Sequence, residues 1–401
     1  MIDGLRSGFR HALTDSTPGT PDNRADKGIL ELSCLYRREY LPIVMSYSQT
    51  SDDHTTSYKG SWLKEALKVH PDCQTFRQLC TVIEIQRRSI ASNIPANTEE
   101  QADAGDCVGQ VTNEERALKL RLSLEDMNSI INFIHTHRFL DIGCCPGGYS
   151  TLVMNLFANA TGMGISLPES DGGHGLAIPE ALLPRLNLQL DDLTMFDLTP
   201  DWSDKPPLST PLKPIPFDRN TFDFVICDAH YRQPQPVNDP RPWNSTRLLI
   251  SQLLLALYGI HPGGRIFLTL RNVENPLTAQ ILVALNQIST GIHTLKSRTI
   301  HRHRPNFYAL ATGIQTNSSQ YTSLVHSLKK LWWTMTFGGE GGQGRDVTWT
   351  EKEMIAPWDD VMSEAGLALI IRLGNPVWGI QFNALLRTLQ AQGMEIDIDQ
   401  L

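Results

Sequence analysis

Apolar residues follow two alternating periods in the middle of the chain. Between about residues 113 and 313, short apolar runs that are typical of buried strands alternate with stretches of helical spacing. This alternation predicts an α/β fold, with a mostly parallel sheet covered by helices on both faces. The predicted strands are 139–142, 162–166, 186–190, 222–227, 264–270, 292–298 and 306–312. The predicted helices between them are 148–158, a short one near 178–184, 245–259 and 276–288.

The flanking segments have different patterns. Residues 1–28 are polar and without periodicity, which predicts a disordered lead. Residues 29–112 contain two helical patterns separated by Pro71, followed by a polar linker, and predict a helical extension. Residues 314–401 predict an α-rich region, in which a glycine loop at 338–344 lacks the G-K-[ST] ending of a phosphate-binding loop. The region 113–313 is therefore predicted to be the main domain.

Composition narrows the class of protein. The net charge of −8 argues against a chain that coats nucleic acid indiscriminately, although a local basic face is compatible with it. Seven cysteines without a C-x-x-C pair argue against a disulfide scaffold and a zinc site, so no metal is expected. The chain starts without an apolar signal region and has no membrane-spanning run, which predicts an intracellular protein of the cytoplasm or nucleus that is neither secreted nor membrane-bound. The oligomeric state is not indicated by the sequence.

The segment 139–150, F-L-D-I-G-C-C-P-G-G-Y-S, carries the strongest functional signal. It predicts a strand, a glycine turn and the start of a helix, an arrangement that suits a nucleoside-containing cofactor. The alternative interpretation is a tight turn without a ligand. The spacing is not the G-x-G-x-x-G of dinucleotide-binding folds, which disfavours NAD.

The motif D-I-G-C-C-P-G-G-Y resembles the first motif of the FtsJ-like S-adenosylmethionine-dependent methyltransferases, which act on RNA ribose 2′-hydroxyls. The likeness extends through F-D-F-V-I-C-D, H-P-G-G-R-I-F-L and F-Y-A-L-A-T-G, over about residues 113–313. It implies a Rossmann-like methyltransferase fold, with a seven-stranded sheet whose last strand is antiparallel. It also implies that S-adenosyl-L-methionine binds across the carboxyl ends of the first strands.

The resemblance also implies a set of cofactor-binding positions. They are Asp141, Gly143, Pro146, Gly147, Gly148, Ser166, Asp191, Asp192 and Asp228. Ser166 stands where the family often has an acidic residue that holds the ribose. Asp191, or Asp192 if the alignment is one residue off, matches the acceptor of the adenine amino group, and the alternative for this pair is a solvated turn. Asp228 matches the acidic residue beside the transferred methyl, and the alternative is a carboxylate that only caps a strand end.

The catalytic set of the family is only partly present. Thr269 aligns with the central catalytic lysine and Asn306 with a glutamate, so two expected charges are missing. The predicted catalytic residues are Asp228, Lys119 as the first lysine, and Arg271, which leaves the same strand face as Thr269. A solvated helix lysine and a surface arginine are the alternatives for Lys119 and Arg271, because an arginine is a poor base.

A basic run over Lys296–Arg304 is the candidate contact for an RNA partner. The residues predicted to contact phosphates are Lys296, Arg298, Arg302 and Arg304. The alternative interpretation is a solvated basic loop. The leading hypothesis is thus an RNA 2′-O-methyltransferase. The alternatives are a catalytically silent protein that binds cofactor or RNA, and an O-methyltransferase for a small molecule.

Overall fold

A seven-stranded sheet forms the centre of the computed structural model, which describes residues 52–93, 111–201, 211–230, 241–394 and 396. The strands are β1 Arg138–Ile142, β2 Thr161–Ser166, β3 Leu186–Leu190, β4 Phe222–Cys227, β5 Ile260–Arg271, β6 Gly291–Leu295 and β7 Asn306–Thr312. Their order in the sheet is β3-β2-β1-β4-β5-β7-β6. All pairs are parallel except those of β7, which runs antiparallel to both β5 and β6. The predicted Rossmann-like arrangement with an antiparallel last strand is confirmed.

Helices lie along the whole described chain. They are α1 Asp52–Val69, α2 Gln74–Asn93, α3 Asn113–Ile131, α4 Gly148–Leu156, α5 Asn244–Gly259, α6 Pro276–Gln287, α7 Ser319–Phe337, α8 Trp349–Lys352, α9 Trp358–Met362 and α10 Glu364–Ala391. The predicted lead at 1–28 and most of the predicted linker lie outside the described residues. The division of the chain into domains stays a prediction.

Two buried clusters cover the two faces of the sheet. On β1, Leu140 and Ile142 belong to one cluster and Phe139 to the other, because successive side chains of a strand point to opposite faces. Helices α1, α2, α5, α6, α7 and α10 contribute to the first cluster, and α3 and α4 to the second. The terminal helices are therefore part of the covering of the sheet.

The largest differences between the predicted and observed elements are at β5, at β6 and at the short helix near 178–184. Strand β5 begins four residues before the predicted start, because Ile260 pairs with Phe222 ahead of an irregularity in the ladder. Strand β6 ends at Leu295 because the Ser297 hydroxyl accepts hydrogen bonds from the next backbone N–H groups and turns the chain. The short helix predicted near 178–184 is a 3₁₀ segment, Glu180–Arg185, which contains Pro184 and cannot continue as an α-helix.

Candidate active site

The glycine turn joins the carboxyl end of β1 to α4, and its own packing explains its glycines. Gly143 and Gly147 have φ angles of 86° and 104°, which favour glycine. A Cβ on Gly143 would lie 2.5 Å from the backbone nitrogen of Ala229, and one on Gly148 would lie 2.2 Å from the carbonyl oxygen of Ala117. A Cβ on Gly147 would clash with Ile178 at 2.3 Å. The glycines are thus required by the fold itself, and their presence alone does not demonstrate a ligand.

Asp141 is a buried carboxyl group with one unsatisfied oxygen. The Ser150 hydroxyl donates to Oδ2 at 2.6 Å, whereas Oδ1 is buried without a hydrogen-bond partner among the described residues. Burial raises the pKa of Asp141 to about 7; the hydrogen bond from Ser150 opposes this rise, and the nearby charge of Asp228 adds to it. A donor or a cation placed at Oδ1 would satisfy this oxygen and favour the charged form.

Asp228 follows β4 and accepts hydrogen bonds from two neighbouring side chains, with a histidine close to the same oxygen. Thr269 of β5 donates its hydroxyl to Oδ1, Tyr308 of β7 donates to the same atom at 3.2 Å, and Nε2 of His230 lies 3.2 Å from it. The Tyr149 and Tyr308 hydroxyl oxygens are 2.5 Å apart. Because Tyr308 donates to Asp228, Tyr149 is the donor to Tyr308. A hydrogen-bonded chain therefore connects α4 through β7 to the end of β4.

The two hydrogen-bonded tyrosines, Tyr149 and Tyr308, stay protonated. Burial of the hydroxyl groups, reinforced by the charge of Asp228, raises the pKa of both Tyr149 and Tyr308 well above the usual value. The Tyr308 ring also stacks on Phe267, with the ring centroids 4.4 Å apart. These phenols are hydrogen-bond donors and not bases.

The turn between Asp228 and His230 is fixed from two sides. The buried Gln252 of α5 accepts from the Ala229 N–H at 3.2 Å, and its amide nitrogen donates to the Ala229 carbonyl oxygen at 3.4 Å. On the other side, Gly143 lies directly against the Ala229 backbone. The glycine turn and the Asp228 turn therefore pack as one unit.

The residues predicted to bind the adenosine part of the cofactor already have hydrogen-bond partners within the protein. Ser166 accepts from the backbone N–H of Cys145 at 3.4 Å. Asp191 accepts from both Lys213 and Gln189, and these hydrogen bonds outweigh the rise that burial causes, so its pKa is lowered. Asp192 caps a 3₁₀ turn by accepting from the N–H of Thr194 at 2.9 Å. For Asp191, the two oxygens that would bind an adenine amino group already have partners.

A cavity of about 200 Å³ lies beside the glycine turn. Its lining residues are Cys145, Glu169, His174, Leu176, Leu188 and Leu190. Ligand pockets commonly measure about 300–1,000 Å³, so only part of a nucleoside cofactor would fit inside. A larger cavity of about 520 Å³ opens at the amino ends of the strands, where Arg138, Thr161 and Phe222 line it. None of the predicted site residues lines that second cavity.

Lys119 and Arg271 are not part of the buried cluster. Both side chains are exposed, and neither has a hydrogen bond or ion pair with another described residue. Asn306 pairs with Arg271 across the β5–β7 ladder, two positions before Tyr308. Thr269, which the resemblance aligns with a lysine, is hydrogen-bonded to Asp228.

Part of the predicted RNA-binding run has a structural role. Lys296 is buried, donates to the carbonyl oxygens of Arg304 and Asn306 at 2.6 and 2.5 Å, and has its pKa lowered to about 8 by burial. The prediction that Lys296 contacts phosphates is therefore wrong, since its ammonium group is used inside the protein. Arg298 is paired with Asp126 at 2.6 Å. Arg302 is exposed and Arg304 half-buried.

Sequence reasoning missed His230, Tyr308, Tyr149 and Gln252. The available signal for His230 was its spacing, because it comes two residues after the strand-end carboxylate Asp228. No group of three or more His, Cys, Asp or Glu residues that would hold a metal occurs in the described ranges. No described helix is both long enough and apolar enough to span a membrane.

No protein-family model and no curated protein matches the chain. Among solved structures, a Plasmodium falciparum protein named as a ribosomal RNA methyltransferase is 17% identical, with 49% of this chain and 96% of that chain covered and a TM-score of 0.34. A Corynebacterium glutamicum protein named as a spermidine synthase is 13% identical, with coverages of 59% and 77% and a TM-score of 0.31. Human methyltransferase-like protein 13, in complex with SAH, is 12% identical, with coverages of 57% and 96% and a TM-score of 0.30. At these values the likeness carries no argument about ligand or reaction, and the strand order itself defines the fold.

Proposed function

We propose that the chain is an S-adenosylmethionine-dependent methyltransferase that acts on a hydroxyl oxygen. The observation that carries this proposal is the pair of buried carboxylates Asp141 and Asp228 at the carboxyl ends of the adjacent strands β1 and β4. In open α/β sheets, ligands bind at this edge. One of these carboxylates has an unsatisfied buried oxygen, and the other stands beside a half-exposed histidine.

The residues present fit the cofactor on its methionine side. Asp141 would hold the amino group through Oδ1, and the turn containing Gly143, Pro146, Gly147 and Gly148 would line the site with backbone. When bound, the cofactor supplies an electrophilic methyl group. Ser166 and Asp192 are the remaining candidates for the adenosine side, because Asp191 is paired with Lys213.

Calorimetric titration with S-adenosylhomocysteine tests the cofactor proposal. The pKa of Asp141 lies at about 7 in the ligand-free protein, and a cationic amino group at Oδ1 would lower it. Binding near pH 7 should therefore release protons, so the observed enthalpy should change with the ionisation enthalpy of the buffer. In the Asp141→Asn variant this buffer dependence should be lost. No binding heat and no thermal stabilisation of the unchanged protein would contradict the proposal.

For the acceptor, we propose an RNA ribose 2′-hydroxyl, as the resemblance implies, with the exposed Arg302 and the neighbouring Arg304 as phosphate contacts. Radiolabelled methyl transfer into total RNA, lost in Asp228→Ala, would support it. Replacing Arg302 and Arg304 together should weaken RNA binding and reduce its salt dependence. Unchanged affinity would exclude this contact.

Two other functions are favoured by particular observations. Lys296 is hydrogen-bonded inside the protein and Arg298 is paired with Asp126, so less positive charge is available to bind RNA. This favours a small-molecule acceptor. The absence of lysine and glutamate at Thr269 and Asn306 favours a catalytically silent protein that binds the cofactor. Label in small metabolites alone would support the former, and cofactor binding without any transfer would support the latter.

A further inference from the structure

We propose that Cys144 and Cys145 form a redox-active thiol pair, in which Cys145 exchanges with small organic disulfides and Cys144 resolves the mixed disulfide. The two residues are neighbours in the glycine turn between β1 and α4. Cys145 lines the cavity of about 200 Å³ beside this turn, and both side chains are otherwise buried. The exchange does not depend on the proposed function, whereas its effect on cofactor binding rests on it.

The cavity gives a small reagent access to Cys145. Three apolar side chains, those of Leu176, Leu188 and Leu190, line it together with Glu169. The apolar lining favours a reagent with alkyl groups, and the carboxylate of Glu169 disfavours an anionic one. The chemical class that fits this opening is therefore a small uncharged disulfide.

The two thiols have different tendencies to lose their protons. A hydrogen bond from the Cys144 thiol lowers the pKa of Cys145; burial opposes this change, and a hydrogen bond with Ser166 adds to it. The same contact between the thiols, together with burial and the charge of Asp141, raises the pKa of Cys144 well above its usual value. The attacking species in disulfide exchange is the thiolate, so the first attack belongs to Cys145.

The other described cysteines are unsuited to this reaction. Cys73 and Cys227 are fully buried, and burial raises the pKa of both thiols, that of Cys73 to about 11. Burial also raises the pKa of Cys80. Within the part of the chain that the structure describes, Cys145 is thus the cysteine that combines a lowered pKa with a place in a cavity.

The exchange proceeds in two balanced steps. The Cys145 thiolate attacks one sulfur of the organic disulfide, the S–S bond breaks, and one organic thiolate leaves with the electron pair. The Cys144 sulfur, having given its proton to that thiolate, then attacks Sγ of Cys145 and displaces the second organic thiolate. The two cysteines are oxidised to a disulfide, and the organic disulfide is reduced to two thiols, which carry the two protons that the cysteines have lost.

A bridge between adjacent residues is readily reversed. Neighbouring Cα atoms are about 3.8 Å apart, which is closer than in most disulfides, so the bridge is strained and easily reduced. The turn is also tightly packed, because a Cβ on Gly164 of β2 would lie 2.7 Å from Sγ of Cys144. Bonding the two sulfurs changes the backbone of the turn that is proposed to line the cofactor site. We therefore expect the oxidised protein to bind the cofactor less well.

The test follows the peptide that contains both cysteines by mass spectrometry, after the full chain has been incubated with hydroxyethyl disulfide. In the unchanged protein this peptide should lose two hydrogens, while Cys227, the internal control, stays unmodified. Cys144→Ala should stop at a mixed disulfide on Cys145, and Cys145→Ala should not react at Cys144. An unmodified Cys145 in the unchanged protein, or a mixed disulfide that persists there, would overturn the proposal even if a variant fails to fold.

The link to the cofactor site has a separate readout. The binding heat of S-adenosylhomocysteine should be lost in the oxidised protein and should return after treatment with dithiothreitol. Bound S-adenosylhomocysteine should in turn slow the modification of Cys145. Equal affinities of the reduced and oxidised proteins would overturn the effect on cofactor binding. If the reduced protein does not bind S-adenosylhomocysteine, the proposed function is wrong, while the mass spectra still decide whether the thiol pair exchanges.

Discussion

At the residue scale, the unsatisfied oxygen of Asp141 is the feature that favours a binding site over a packed turn. The glycines around it are explained by contacts within the chain, such as that of Gly143 with Ala229. A buried acceptor without a partner costs about 1–3 kcal/mol, and nothing in the described packing offsets that cost. A ligand that supplies a donor or a positive charge would do so.

The pKa of Asp141 predicts how stability depends on pH. Its value of about 7 in the folded state lies above the usual 3.8, so the folded state binds more protons between these pH values. The unfolding free energy should therefore fall as pH rises from about 4 to about 7, by a few kcal/mol, and Asp141→Asn should lack this component. Urea unfolding of both proteins at several pH values measures the difference. If the unfolding free energies of the two proteins change with pH by the same amount across this range, the prediction is wrong.

Lys296 should affect stability and not RNA binding. Lys296→Met removes two hydrogen bonds to backbone carbonyl oxygens, and we expect a loss of roughly 1–3 kcal/mol in the free energy of unfolding. The exposed Arg302→Ala is the matched control within the same segment and should change stability by less than about 0.5 kcal/mol. Chemical denaturation measures both. Equal stability of the two variants would show that the Lys296 contacts contribute little.

At the element scale, the positions of the site residues were largely predictable from strand periodicity. Each of these residues lies two positions after a buried residue of the second cluster and shares its face of the sheet. The pairs are Asp141 with Phe139, Asp228 with Ile226, and Thr269 with Phe267. All three therefore leave the same face of the sheet at its carboxyl edge, and the predicted strand ends placed them there. The contact between Asp228 and Thr269 follows from that register.

Other parts of the site depend on long-range contacts that periodicity does not encode. Lys213 neutralises Asp191 from a segment whose composition indicates only a surface loop. Asp126 of α3 pairs with Arg298, 172 residues away along the chain. The burial of Lys296 depends on carbonyl groups eight and ten residues further on. In each case tertiary packing determines the partner. The charged residue could be read from the sequence, but its interaction could not.

Helix α10 offers a paired test of packing against helix propensity. A Cβ on Gly374 would lie 2.2 Å from the Trp378 ring, whereas one on Gly379 would meet only Thr75 at 3.8 Å. We expect Gly374→Ala to destabilise the protein by about 1–3 kcal/mol through overpacking. Gly379→Ala should stabilise it by about 0.5–1 kcal/mol, because alanine is the better helix former. Thermal unfolding midpoints that shift in the same direction would contradict this account.

At the scale of the whole molecule, the first and last described helices belong to the same buried cluster as the sheet. The rings of Phe76 in α2 and Trp378 in α10 are 4.7 Å apart at their centroids. Helix α10 also reaches the edge strand β6, where Arg372 donates to the carbonyl oxygen of Ile292 at 3.2 Å. The terminal helices therefore contribute to the stability of the domain that carries the site.

Phe76→Ala should lower the stability of the described part of the chain as a unit. We expect a loss of about 3–5 kcal/mol and a single calorimetric transition at a lower temperature. Val69→Ala, at a 57% exposed position of the same helical pair, is the control and should leave the transition nearly unchanged. Two separate transitions in Phe76→Ala would show that the helical pair unfolds independently of the sheet.

The contact between Phe76 and Trp378 also has a consequence during translation. The two residues are separated by about 300 positions, and at about 5–20 residues per second the ribosome needs roughly 15–60 s to make that stretch. During this time the apolar face of α2 lacks its contacts with α10. We expect newly made chains to be clients of chaperones that bind exposed apolar helices, and Gln74–Asn93 to be the segment that they hold until α10 has been made.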